Sequence, residues 1–289
     1  MTDLDTETSA WREHLGYELI DEGKLSADYC AAWDTPADTE RRFALLKPAG
    51  DSNTCMRFVE TPEREGYWPP VTWGWNATEI LVQDPDELAV QLEGSPFTRF
   101  GGPLNLTAHH KAPRVTQVYA PSGAILYLTR LLPGGSRYGL HGAKVPVDRV
   151  FNVVLGGPSL DELCEFYSNT LGLRIGEPLM FTGTLAAQAS GAPHMPFPIC
   201  VAPIKARNNI LELDEYPENT TARPRETGEL PGGMSMVSFS VASLDDYPVR
   251  FRAEPVALKG APYNGARAAV IEGPAGEWLE LIETSASAD

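Results

Sequence analysis

The sequence repeats itself, and an internal repeat limits the fold of a chain more strongly than any single motif. Residues 121–129 (PSGAILYLT) return as residues 274–282 (PAGEWLELI). The Leu-Asp, aromatic and Leu-Gly positions of residues 4–17 return in residues 160–173. The chain therefore consists of two related halves of about 155 residues each.

Each half contains a shorter echo of the same kind. Four strand-like stretches close four segments of the chain, at residues 55–60, 125–130, 210–215 and 278–283. We divide the chain into four modules, at roughly residues 1–60, 72–131, 148–216 and 234–284, with linkers rich in Pro and Gly between them. Pairing consecutive modules predicts two domains, one over residues 1–140 and the other over residues 145–289.

The third module shows most clearly what one module contains. Residues 150–155 (VFNVVL) are apolar and rich in β-branched side chains, which predicts a strand. Ser159 then fits an N-cap with Glu162 three residues later, as in a capping box, and Gly172 fits the C-cap of the helix that follows. We therefore predict that a module runs from a strand through a helix into shorter strands.

Composition and charge exclude several partners. The chain carries 39 acidic and 23 basic side chains, a net charge of −16, and such a field repels nucleic-acid phosphates and anionic lipid headgroups. No apolar run approaches the ~20 residues of a membrane helix, and the acidic start lacks the apolar region of a secretory signal. The four cysteines lie far apart without a C-x-x-C pair, which indicates neither a zinc cluster nor a disulfide framework. We expect a reduced cytoplasmic protein.

Residues 166–173 (FYSNTLGL) and 274–281 (PAGEWLEL) resemble the helix end and the last strand of the vicinal oxygen chelate superfamily. This superfamily includes glyoxalase I, extradiol dioxygenases and the bleomycin resistance proteins. The resemblance covers nearly the whole chain and implies an α+β fold of four tandem βαβββ modules, which form cupped mixed β-sheets flanked by helices. The first module starts at its helix, so we expect it to lack its first strand. Either translation begins upstream of Met1, or another segment or the second subunit of a homodimer covers the open sheet edge.

The resemblance also implies metal ligands on the first and last strands of the modules. The first-strand positions read Ala77, Asn152 and Met236, and the last-strand positions read Arg57, Tyr127, Glu212 and Glu280. None is a histidine, although Fe, Zn, Ni and Mn sites commonly pair imidazole with carboxylate. We therefore predict either no cofactor or a weakly held divalent metal, with the choice among Mn, Mg, Fe and Zn left open. Its ligands would be Asn152, Glu212 and Glu280, with Met236 at the fourth corner.

Glu212 and Glu280, together with Asn152, are the predicted catalytic residues. Each glutamate alternates with leucines along its strand and so points away from them, toward the cavity that the resemblance implies. If both carboxylates share a partly apolar cavity, their repulsion raises the pKa of at least one toward neutrality, which suits a general acid or base. The alternative is that both are solvated or paired with Arg207 or Arg267.

Residues that bind the substrate are predicted mainly in the first half. Glu79 and Tyr127 suit acid–base work, Arg57 suits a substrate carboxylate, and Gln117 lies on a neighbouring strand of the same cup. The alternative for the first two charged residues is an ion pair between Glu79 and Arg57. We also expect three residues outside this group to contact the ligand, namely His110, His194 and Met236.

These features predict an enzyme that acts on a small carbonyl-bearing or aromatic metabolite by carboxylate-assisted proton transfer, as a lyase or isomerase would. One alternative is a binding protein that sequesters a small molecule, as bleomycin resistance proteins do. Another alternative is an extradiol-type dioxygenase. Convergent carboxylates in the cup would favour the enzyme, whereas aromatic walls without them would favour sequestration.

Overall fold

The computed structural model describes residues 1–50, 54–136, 138–182, 189, 191, 194–204 and 208–284. Its α-helices are α1 (Leu4–Leu15), α2 (Ala27–Trp33), α3 (Pro85–Gln91) and α4 (Leu160–Leu171). The strands of the first two modules are β1 (Glu18–Lys24), β2 (Arg42–Lys47), β3 (Met56–Val59), β4 (Gly74–Val82), β5 (Thr98–Asn105), β6 (Arg114–Tyr119) and β7 (Ile125–Arg130). Those of the last two are β8 (Val147–Gly157), β9 (Leu179–Thr182), β10 (Pro196–Ile204), β11 (Asn209–Glu215), β12 (Met236–Val241), β13 (Val256–Ala257), β14 (Arg267–Glu272) and β15 (Trp278–Glu283).

The helix signals in the third module are confirmed. The Ser159 side chain accepts a hydrogen bond from the backbone N–H of Glu162 at the start of α4. Gly172 ends that helix with φ 63°, in the left-handed region that glycine adopts without strain. In the fourth module the helix is reduced to a single 3-10 turn, Leu244–Asp246. Pro248 explains the difference, because proline lacks an N–H to continue a helix and pushes the residue before it, Tyr247, into an extended conformation.

The second and third modules form one continuous sheet of eight strands, in the order β5-β6-β7-β4-β8-β11-β10-β9. The first strands of the two modules, β4 and β8, pair antiparallel at its centre, and each is parallel to the last strand of its own module. This sheet crosses from one predicted half of the chain to the other. The proposed division into residues 1–140 and 145–289 stays a prediction.

The first and fourth modules form two separate sheets, β1-β2-β3 and β12-β15-β14-β13. The first module begins at α1, as predicted. β12, the first strand of the fourth module, therefore has no partner strand from the first module in the described chain, unlike β8, which pairs with β4. Met1 lies beside the end of β3, where a first strand would pair. Its amino group donates to the Val59 carbonyl (3.1 Å), and its carbonyl accepts from the Thr61 N–H (2.7 Å). The two sheets therefore meet without a shared central strand.

Two apolar cores lie behind the sheets. One combines α1 and α3 with the backs of β1–β3, β4, β6 and β7 and includes Trp11, Ile80 and Leu128. The other combines α4 with the backs of β8, β10, β11, β12, β14 and β15 and includes Leu155, Tyr167 and Leu281. The opposite sheet faces are left to form two cups, one on the eight-stranded sheet and one between the two smaller sheets. In the described chain, no helix is both long and apolar enough to cross a bilayer.

Candidate functional site

Four polar side chains converge on the cupped face of the eight-stranded sheet. They are Glu79 on β4, Asn152 on β8, and Glu212 and Asp214 on β11, and we call this region the acidic cup. Strand alternation brings them together, because the residues between them turn to the back of the sheet, as Leu211 and Leu213 do in the core.

The amide of Asn152 joins two of the carboxylates. Its Nδ2 donates to Glu79 Oε1 (3.1 Å) and to Glu212 Oε2 (3.3 Å). Thr129 Oγ1 donates to the other oxygen of Glu79 (3.2 Å). Glu79 comes from the second module and Glu212 from the third, so the arrangement exists only because β4 and β8 pair at the centre of the sheet.

The position that corresponds to Asn152 in the second module is Ala77, as predicted, because Asn152 lies opposite Ile210 and Ala77 lies opposite the matching Ile125. Glu79 lies opposite Asn152 across the β4–β8 pair and opposite Tyr127 across the β4–β7 pair. Glu79 lies two residues further along β4, at the position that Val154 holds in the third module, and it joins the cup because β4 and β8 pair antiparallel.

Burial dominates the titration of this cluster. Burial, and then the charge of Glu212, raises the pKa of Glu79 from 4.5 to about 8. Burial also raises the pKa of Glu212, against the hydrogen bond from Asn152, which lowers it. Burial and the two neighbouring glutamates hold the pKa of Asp214 well above its usual range. The cluster therefore holds protons at neutral pH that exposed carboxyl groups would release.

The cup is open to solvent on the side of Glu212 and has an aromatic wall. Glu212, Tyr127 and Gln117 are half-buried, whereas Glu79 is 8% exposed. Phe100 and Tyr119 lie beside Tyr127, with their ring centroids 4.4 Å apart. These rings pack with Ala77, Ile125 and Val154 to form an apolar surface adjoining the carboxylates.

The second cup lies between β1–β3 and β12–β15 and is occupied by α2, so we call it the filled cup. Tyr29, Cys30 and Trp33 of α2 are buried against the sheet residues Val270 and Trp278. Glu280 lies beneath them, 2% exposed. It accepts hydrogen bonds from Trp33 Nε1 (2.7 Å), from the Tyr263 hydroxyl (2.7 Å) and from the Ser238 hydroxyl (2.5 Å).

Arg57 is enclosed by aromatic rings in the filled cup. Its guanidinium carbon lies 4.7 Å from the ring centroid of Tyr29, 5.0 Å from that of Phe43 and 5.2 Å from that of Tyr263. Its Nη2 donates to the Ala261 carbonyl (3.0 Å). Such contacts stabilise a desolvated cation, so we interpret Arg57 and Glu280 as parts of a packed interior.

The predicted site residues thus divide between the two cups. Glu212 and Glu280 do not share a cavity, and the prediction of an ion pair between Glu79 and Arg57 is wrong, because in each case the two residues lie in different sheets. Tyr127, Gln117, Glu79 and Asn152 do share one cup. The sequence could not give this division, because it did not show which modules pair across a cup.

The remaining predicted residues lie outside the acidic cup. Met236 begins β12 and packs half-buried at the filled cup. His110 is exposed at the tip of the β5–β6 hairpin, where its ring stacks on that of His109, and His194 is exposed just before β10. Arg207 lies outside the described residues, and Arg267 pairs with Glu283 and Asp245 rather than with Glu212 or Glu280.

The donor sets do not fit the metal that the fold family implies. The acidic cup offers carboxylates and an amide but no imidazole, and the amide directs its N–H groups at the two carboxylates where a cation would need oxygen lone pairs. In the filled cup, the last-strand position of the first module carries the Arg57 guanidinium, a cation, in place of a metal ligand. Within the described ranges, no three His, Cys, Asp or Glu side chains are grouped as metal ligands would be.

Several residues of the two cups were not singled out from the sequence. Asp214 follows Glu212 by two residues, and this i, i+2 spacing was the signal that it would share the cup. Ser238, rather than Met236, lies beside Glu280. The plug α2 is an insertion between β1 and β2 with its own N-cap at Ser26, a signal that the repeat pattern obscured because the repeat does not contain it.

The fold recurs in solved structures of low sequence identity. Glyoxalase I from Zea mays superposes with a TM-score of 0.63 at 14% identity, over 98% of this chain and 89% of that protein. A dioxygenase-like protein from Bacillus subtilis superposes with a TM-score of 0.55 at 14% identity, over 98% of this chain and 82% of that protein. No protein-family profile and no curated protein matches the sequence. The curled mixed sheets and these neighbours confirm the predicted α+β class, and the chain has the vicinal oxygen chelate fold.

Proposed function

We propose that the protein is an enzyme of the lyase or isomerase type, which moves a proton on a small carbonyl-bearing or aromatic molecule, with the acidic cup as its active site. One observation carries the proposal: two buried carboxylates of unequal exposure, Glu79 and Glu212, are held on the amide of Asn152. Coupled carboxyl groups in such surroundings hold one proton between them near neutral pH. One can then accept a proton while the other retains one.

The roles follow from exposure. Glu212 is half-buried and reaches the open side of the cup, so it takes the proton from the carbon beside the carbonyl group. Negative charge then develops on the carbonyl oxygen. The Tyr127 hydroxyl can donate to that oxygen, because burial keeps its pKa well above 10 and it donates to no other described residue. Glu212 returns the proton to a neighbouring carbon in an isomerisation, or a leaving group departs in a lyase reaction.

Deuterium exchange tests the proposal without knowledge of the natural substrate. Purified protein is incubated in D₂O with a panel of small aromatic and aliphatic carbonyl compounds, and proton NMR follows loss of the signal beside the carbonyl. We expect exchange with at least one compound, slowed about a hundredfold or more in Glu212→Gln. Glu280→Gln, which changes the filled cup, should exchange at the wild-type rate.

Two results would contradict the proposal. The first is binding of panel compounds without any exchange, which would favour a sequestering protein. The second is an equal loss of exchange in both variants after circular dichroism has shown that both are folded, because the acidic cup would then not be the distinct site.

A further inference from the structure

Two buried acceptors in the acidic cup have no donor among the described residues. Asp214 is 6% exposed, its side chain makes no hydrogen bond to a described residue, and its Oδ1 is fully buried. Asn152 is 2% exposed, and its Oδ1 is likewise buried without a donor, although its Nδ2 is used twice. Buried polar atoms are nearly always paired in folded proteins, so two unpaired acceptors in one cup indicate a ligand that supplies donors.

The described residues supply no cation to these carboxylates. The salt bridges of the described residues involve neither Glu79 nor Glu212 nor Asp214. The protein as a whole carries a net charge of −16, which concentrates cations and repels anions near its surface. A ligand group with donors and positive charge therefore matches the site, and a carboxylate or phosphate does not.

The aromatic wall points to the rest of the ligand. Phe100 and Tyr119 lie on the same face as Ile125 and Val154 and next to Tyr127. An apolar or aromatic body packs against such a surface, and the ring faces also attract a cation. A bare metal ion would use the acceptors but leave this wall without a partner.

We infer that the acidic cup binds a small organic ammonium compound, with the ammonium group donating to Asp214 and the apolar or aromatic body lying against Phe100 and Tyr119. The inference builds on the proposed function and narrows its substrates to compounds that carry a protonated amine beside the reacting carbonyl. Asp214 is then the residue that selects the substrate, while Glu212 performs the proton transfer.

Three probes of equal shape test the inference directly. 4-Fluorobenzylamine, 4-fluorobenzyl alcohol and 4-fluorobenzoate differ only in the group that would face Asp214, and fluorine NMR measures the binding of each to the intact protein at pH 7. We expect the amine to bind about tenfold or more tightly than the alcohol, because a charge-assisted hydrogen bond replaces a neutral one, and the benzoate to bind most weakly.

Asp214→Asn keeps the shape but, unlike Asp214, cannot ionise beside a bound ammonium group. We expect it to weaken the amine about tenfold and to leave the alcohol unchanged. Asp246→Asn is the matched control, because it is the same substitution at an exposed residue on the 3-10 turn of the fourth module. Should Asp214→Asn fail to fold, the order of the three probes on the wild-type protein still decides.

Three outcomes overturn the inference: the alcohol or benzoate binding as tightly as the amine, full amine affinity in Asp214→Asn, or benzoate becoming the preferred probe once MgCl₂ is added. The last would assign the acceptors to a metal. Selective amine binding without deuterium exchange would sink the proposed enzyme and leave the ammonium site standing. The opposite result would be exchange of neutral carbonyl compounds that Asp214→Asn does not alter, with no preference for the amine. It would rule out the ammonium site and leave the proposed enzyme standing.

Discussion

The acidic cup and the filled cup are built from the same repeated module, but their carboxylates differ in hydrogen-bond donors and in exposure. Glu280 has three donors and is covered by the aromatic side chains of α2. Glu212 shares one amide with Glu79 and reaches solvent. A carboxylate at a matching strand position is therefore a structural residue in one cup and a candidate catalytic residue in the other. Its partners decide the difference.

The largest expected effect is on the stability of the filled cup. Trp33→Ala removes a buried ring and the donor to Glu280, and we expect it to lower the free energy of unfolding by about 3–5 kcal/mol. Chemical denaturation measures this. Trp68→Ala is the control, because Trp68 is 49% exposed, and it should change little. Equal effects of the two variants would show that α2 is not a structural plug.

The next effect concerns pH and the acidic cup. Folding raises the pKa of Glu79 from 4.5 to about 8, so the folded state keeps a proton that the unfolded chain loses. The contribution of Glu79 to the free energy of unfolding should therefore be most favourable below about pH 4.5 and should decrease as the pH rises toward 8. Glu79→Gln cannot ionise and should be more stable than wild type at pH 8 by about 2–4 kcal/mol.

Glu283→Gln provides the opposite sign as a control. The hydrogen bonds from Arg267 lower the pKa of Glu283 to about 2, so its contribution is present at neutral pH and is lost only in strong acid. This variant should be less stable than wild type at pH 7. If both variants shift stability in the same direction at pH 8, the assignment of a held proton to Glu79 is wrong.

A pair of tyrosine variants compares the cups with the same chemical change. Tyr127→Phe removes a hydroxyl that donates to no described residue, so we expect unchanged stability and about tenfold slower deuterium exchange. Tyr263→Phe removes a donor to buried Glu280, so we expect unchanged exchange and a loss of about 1–3 kcal/mol in unfolding free energy. Thermal melts and exchange rates on both proteins check the crossing pattern, and a reversed pattern would exchange the roles of the cups.

The smallest expected effect is that of metal. Asn152 directs N–H groups at both glutamates, so a divalent ion has to displace two hydrogen bonds to bind. We expect elemental analysis after growth with Mn, Fe, Ni and Zn to find less than one equivalent per chain, and EDTA to leave the melting temperature unchanged. One tightly bound equivalent would mean that the amide turns over and that the acidic cup is a metal centre.

The repeat made the fold predictable, and local geometry limited what could be said of the site. Closing strands and caps follow from patterns of a few residues, and the structure agrees with the caps at Ser159 and Gly172. The face of Glu79 and Glu212 also followed from strand alternation. The antiparallel pairing of β4 with β8, by contrast, depends on contacts between residues far apart in the chain, so the hydrogen bond of Asn152 with Glu79 could not be predicted.

The partners of Glu280 show a second reason why the site could not be predicted fully from the sequence. Trp33 lies 247 positions away from it, on a helix that only the first module contains. Pairing of the first module with the fourth, rather than with the second, decides whether Glu280 meets Trp33 or Glu212. Both pairings bury similar apolar faces, so hydrophobic patterning did not distinguish them.

The antiparallel pair of β4 and β8 has a consequence for any attempt to divide the protein. Glu79 is encoded before the long linker between the halves, and Asn152, Glu212 and Asp214 are encoded after it. A chain cut in that linker would leave the proton-holding residue on one fragment and the proton-accepting residue on the other. Neither piece alone would contain the pair, so recovered exchange activity would report that the two fragments had rejoined edge to edge.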